Sequence, residues 1–148
     1  MEVPVLSKFA ELFFFGVTPL IFGLAATPAI SATAARTIFE TVWVAEEIGG
    51  KDVIGHDHRS TFEIRVDGSV SGDAACNNYF STATVEKSTI KFGMIGSSRM
   101  MCQDEQMNQE RRFLEALSKT SSFRFDEAGK LYFADSEGYA LLRFMRSG

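Results

Sequence analysis

The chain has 148 residues, 45% of them apolar and 23% charged, which describes one compact domain plus an N-terminal segment and leaves no room for two sizeable cores. A formal charge of −4 and a pI near 5.2, with no basic run anywhere, argue against nucleic acid as a partner, because a polyanion binder carries a basic face.

From Leu12 to Ala26 the stretch LFFFGVTPLIFGLAA carries no charge, and it is followed by Pro28 and the small residues AISATAA. Residues 1–34 are therefore expected to be a secretory signal peptide. Ala32 and Ala34 form an A-x-A pattern with cleavage after Ala34, and Ala29 and Ala35 mark neighbouring sites. An uncleaved anchor is the alternative, since about 18 apolar residues can span a bilayer, but Pro19, Pro28 and the polar break after Ala26 favour cleavage. No transmembrane segment is expected once it is removed, and no cysteine stands there to carry a lipid. Cleavage takes away Glu2, Lys8 and Glu11, leaving 14 basic and 17 acidic side chains and a net charge of −3. The expected location is periplasmic or secreted.

Beyond Arg36 the apolar residues recur with a period of two, in short segments, as antiparallel strands require. TVWVAEEI (Thr41 to Ile48) is the first and stops at Gly49-Gly50. After the polar loop KDVIGHDHRS, Thr61 to Val66 sets Phe62, Ile64 and Val66 on one face against Glu63 and Arg65 on the other. Asp67-Gly68 predicts a tight hairpin, because such a turn needs a positive φ that glycine adopts at least cost. The return strand carries Val70 and leads into ACNNYFSTATV. Glu86-Lys87 then turns the chain into STIKF, with Ile90 and Phe92 on one face.

Gln103 to Lys119 breaks this pattern, with no glycine or proline and many good helix formers. Asp104 and Glu105 near its start and Lys119 at its end suit the helix dipole. Met107, Phe113, Leu114 and Leu117 predict the face that packs on the sheet. Three further strands follow, SSFRF, KLYFA and YALLRFM, separated by the glycine-ended turns DEAG and DSEG. Eight short strands on one small domain predict a mainly β fold, an antiparallel barrel or sandwich with one helix packed on it.

Chemistry is sparse along this chain. The glycines of GSVSG (Gly68 to Gly72) are spaced like a nucleophile elbow, but Val70 stands where serine would be. Phosphate-binding glycine loops are absent. His56 and His58 would point to one side of an extended chain, but two ligands without a third make a solvated loop the expected reading. No catalytic residue, metal site or cofactor is predicted, and the chain is not expected to be an enzyme.

Cys76 and Cys102 are the only two cysteines. In an exported chain an even count without C-x-x-C favours a structural disulfide, worth roughly 3–4 kcal/mol for a loop of this length. Two free buried thiols and a nucleophile are the alternatives, and the neighbours Ala75, Asn77 and Asn78 offer no base to activate the second.

Trp43 early in the domain, F-x-I-x-x-D-G-x-V-S-G (Phe62 to Gly72), A-C-N-N-Y-F (Ala75 to Phe80) and S-R-M-M-C (Ser98 to Cys102) ahead of one helix together resemble the META domain of the HslJ heat-shock protein family. The resemblance spans about residues 41–146. Ala75 and Ser81 depart from it, since such domains often carry glycine there. The resemblance implies a compact barrel-like fold with one helix, in an envelope or secreted protein linked to stress resistance and without an established enzymatic activity. It also implies a likeness to type III secretion pilotins, which hold a lipid chain or a partner peptide.

Asn77 and Asn78 straddle their strand, so one amide must face inward and find partners. It either caps the 93–102 loop or touches a ligand. Tyr79, Arg99, Met100 and Met101 complete this candidate binding or structural motif. The methionines either fill core gaps beside the sulfur bridge or line a groove for a peptide or acyl chain. The preferred function is a non-catalytic envelope protein, acting as a monomer, that supports stress resistance through a protein or lipid partner. A pilotin-like or inhibitor-like module and an enzyme using Asp, Arg and Asn groups are the other classes.

Overall fold

A computed structural model describes residues 37–55 and 58–148; the expected signal peptide and His56 lie outside them. The first half of the domain forms β1 (Trp43–Ile48), β2 (Lys51–Asp52), β3 (Thr61–Ile64), β4 (Ser69–Asp73), β5 (Asn78–Glu86), β6 (Thr89–Phe92) and β7 (Gly96–Ser97). Helix α1 (Asp104–Lys119) then precedes β8 (Ser122–Phe125), β9 (Leu131–Ala134) and β10 (Ala140–Arg146).

Eight of these strands close an antiparallel barrel in the order β1-β3-β4-β5-β6-β8-β9-β10, with β10 pairing back onto β1. The eight strands expected from the period-two segments are the ones that close the ring. The two additional strands, β2 on β1 and β7 on β5, are two residues each and too short to leave a pattern in sequence.

Closure is uneven around the ring. Strands β1 and β10 pair from Trp43↔Arg146 to Ile48↔Leu142 across one bulge. Strands β6 and β8 meet only at Thr89↔Ser122. Two hydrogen bonds flank that pair, from Ile90 N–H to Ser121 O at 3.1 Å and from Phe123 N–H to Ser88 O at 2.8 Å.

Inward-facing aromatic side chains fill the barrel, as they do in small barrels generally. Phe62 meets Phe133 edge-on at 5.1 Å, Phe133 meets Phe144 at 5.2 Å, and all three are fully buried. Each buried phenylalanine of this kind stabilises the fold by roughly 1.5–3 kcal/mol. Trp43 closes one end, donating its indole N–H to the Ile38 carbonyl at 3.3 Å. No helix among the described residues is long and apolar enough to cross a membrane.

Three local expectations are corrected. Val66 does not share the buried face of Phe62 and Ile64; it is 80% exposed, because β3 ends at Ile64 and the chain has already begun to turn. The turn is longer than a two-residue hairpin: Arg65 N–H donates to Ser69 O and Gly68 N–H to Arg65 O, with Gly68 at φ 83°. That is a three-residue loop with glycine in the left-handed position.

The buried face of α1 is rotated from the expected apolar stripe. Phe113 and Leu117 are buried as predicted, with Ala116 beside them, whereas Met107 and Leu114 are only partly buried. One and two turns earlier the same face carries Gln106, Gln109 and Glu110. Polar side chains occupy it because there the helix packs on loops, whose backbone groups need partners.

Candidate functional site

The chain leaves β4 at Asp73 and turns through Ala74 to Asn77, closed by Ala74 N–H donating to Asn77 O at 2.8 Å. Ala75 takes φ 92° in this turn, a region that residues with a Cβ rarely adopt. The turn sets Cys76 beside Cys102, just ahead of α1, and the two form a disulfide with their Cα atoms 5.9 Å apart. No free thiol remains. With both sulfurs in the bridge, Cys76 cannot act as a nucleophile.

Asn77 is 2% exposed, and every polar atom of its side chain is engaged. Its Oδ1 accepts from Met100 N–H at 2.7 Å and from the Ser98 hydroxyl at 2.9 Å. Its Nδ2 donates to the Met100 carbonyl at 3.3 Å and to Glu110 Oε2 at 2.9 Å. Glu110 Oε2 also accepts from Asn77 N–H at 3.0 Å. One asparagine thus holds both backbone groups of Met100, while a carboxylate from α1 holds the asparagine. Hydrogen bonds to an ionised acceptor are the stronger kind, and a buried carboxylate demands them.

Asn78 faces the other way and is exposed; its carbonyl accepts from Ser98 N–H at 3.0 Å. Tyr79 points inward, fully buried against Phe113 at 5.6 Å, and donates its hydroxyl to Thr61 O at 2.8 Å. Burial, and secondarily the Asp73 carboxylate, push its phenol far above the usual tyrosine range. Ser81, the second departure from the family pattern, is buried and donates its hydroxyl to the Thr82 carbonyl at 3.1 Å.

Arg99 is exposed, as are Met100 at 55% and Met101 at 91%. The methionines therefore do not fill core gaps beside the bridge. Met94, on the same loop, is 95% exposed, and Phe80, whose ring lies across Gly96, is 66% exposed. The loop is tied at Ser98, Met100 and Cys102, and it presents Met94, Met100 and Met101 together with Arg99 to solvent.

Gln109 and Glu110 are the residues that sequence reading missed. Gln109 is fully buried; its Oε1 accepts from Ile54 N–H at 2.7 Å, and its Nε2 donates to His58 O at 3.2 Å and Ser60 Oγ at 3.1 Å. The signal was present in the helical period: stepping back from Leu117 through Phe113 by three and four residues reaches both. His58 is exposed and meets the site only through its carbonyl. Among the described residues no group of three or more His, Cys, Asp or Glu side chains could hold a metal ion. The arrangement holds a loop in place.

Two solved structures share this fold. An NMR structure of a protein from Burkholderia xenovorans is 22% identical, with a TM-score of 0.61 over 74% of this chain and 83% of that one. A second NMR structure is 18% identical, with a TM-score of 0.56 over 70% of this chain and 87% of that one. No curated protein matches the chain. The sequence model of the META domain matches residues 36–148, the barrel, the bridge and the helix together, and the chain belongs to the META domain family.

Proposed function

We propose that the chain is an exported, non-catalytic META-domain protein of the cell envelope, acting as a monomer, whose barrel presents the bridged 94–101 loop to a protein partner during stress. The observation that carries this reading is the double fixation of that loop, by the Cys76–Cys102 bridge and by the Asn77 side chain, with its methionines turned outward. A disulfide persists in an oxidising compartment, and the apolar stretch from Leu12 to Ala26 supplies a route there. Exposed methionine suits adaptable apolar contact, and fixing the backbone beforehand lowers the ordering cost of binding.

Intact-mass measurement on protein recovered from the cells that make it tests this reading. The expected species begins after Ala34 and is two mass units lighter than its reduced form. A full-length chain with two free thiols would overturn export and, with it, the envelope role. The pilotin-like or inhibitor-like alternative gains support from a different observation, the clefts at the barrel seam.

A further inference from the structure

The short contact between β6 and β8 leaves β8 running past its neighbour, and a cleft of about 570 Å³ opens where the two part. Its walls are Ile38, Phe39, Val85, Phe123 and Phe125. Lys87 and Arg124 stand on its rim, and among the described residues no acidic side chain lines it, although the chain as a whole is acidic. Arg124 is held in position, its guanidinium 4.1 Å from the centre of the Tyr132 ring. The cleft on the other side of the seam, about 610 Å³, differs in kind: there Lys91 is balanced by Glu86 and most of the lining is hydroxyl-bearing.

Among the described residues, no backbone group pairs with Phe125 on the cleft side of β8. Phe123 directs its N–H to Ser88 O, and Asp126 directs its own to Lys130 on the β9 side. Backbone groups alternate sides along a strand, so Phe125 turns its N–H and C=O toward the cleft. The β5–β6 turn ends at Lys87 and Ser88, and no strand among the described residues lies opposite Phe125. An acyl chain has nothing to offer such an edge, whereas an extended peptide completes it.

The geometry points to a peptide-binding site at this seam, taking an extended apolar segment of a protein partner that carries an acidic side chain. The segment adds to the free edge of β8 at Phe125, lays alternate apolar side chains on Phe123, Phe125 and Phe39, and sets its carboxylate between Lys87 and Arg124. A cleft of this volume falls within the ~300–1,000 Å³ of ordinary ligand sites. The site is separate from the bridged loop and stands whether or not the chain is exported.

Random dodecapeptides displayed on phage and selected against the purified full chain test the proposal. The enriched sequences are expected to combine an acidic residue with alternating apolar ones. They should bind one per chain, slow amide exchange at Phe125, and weaken by about tenfold against Lys87→Glu with Arg124→Gln, the size of effect expected when a close charge pair is lost. Both side chains are exposed, so the double variant should melt like the parent; if it does not, Lys87→Gln alone carries the comparison. Failure to enrich, enrichment indifferent to both substitutions, or protection elsewhere would overturn it. So would stoichiometric binding of hexadecanoate that displaces the peptides, which would mark an acyl site.

Discussion

Ala75 sits at φ 92°, where glycine is comfortable and a Cβ is strained. Ala75→Gly is therefore expected to stabilise the domain by about 0.5–1 kcal/mol, a gain readable as a higher urea midpoint. An unchanged or lower midpoint would show that the turn relaxes around alanine. Tyr79 supplies a pH dependence. Its proton is held more tightly folded than unfolded, so its contribution is fully present below the ordinary tyrosine value near 10 and is lost as pH rises beyond it. Tyr79→Phe should cost about 0.5–1.5 kcal/mol at pH 8 through the lost bond to Thr61 O, and the gap between variant and parent should narrow by pH 11. A gap that stays constant would exclude Tyr79 as the source of alkaline destabilisation. At this scale the sequence was informative about type and silent about direction. It required one asparagine to face inward; only the position of Met100 and Glu110 shows that Asn77 is the one, and why.

The bridge and the helix belong to the next scale. Cys76 and Cys102 close a loop that contains β5, β6 and β7, so replacing both with serine should cost about 3–4 kcal/mol and lower the melting temperature. Equal melting of oxidised and reduced protein would show that Asn77 and Glu110 suffice to hold the loop. The eight ring strands were legible as short apolar segments set off by turn residues, and the helix because it interrupts them with seventeen residues of helix formers from Gln103. Its orientation was not legible from hydrophobicity. A helix that packs on loops buries amides and carboxylates, and an apolar stripe drawn through Met107 and Leu114 tilts toward the wrong side. Val66 misled for a related reason: alternation continues in sequence for one step after the backbone has left the sheet.

For the whole molecule, the ring of eight strands is as strong as its thinnest joint. Strands β6 and β8 share one residue pair, so opening should begin there. Native-state hydrogen exchange is expected to find Ile90 and Phe123 amides exchanging at least about tenfold faster than those of Val70 and Ser81, which sit in the longer β4–β5 ladder. Uniform protection around the ring would mean that the aromatic interior, rather than the ladder, sets local stability. Neither this seam nor the clefts beside it could be read in advance, since strand order depends on pairings between residues far apart in the chain.

The β1–β10 register has a mechanical consequence. Trp43 lies opposite Arg146, so the chain enters and leaves the barrel at the same end of that pair. Tension between the ends therefore peels β1 from β10 one rung at a time instead of shearing the whole ladder at once. Once the ring is open, the bridge limits how far the chain can lengthen: with Cys76 and Cys102 at a sequence separation of 26, reduction should add roughly 80 Å to the extended length. The fold yields gently at its ends and keeps its bridged half tied until the sulfur bond is cut.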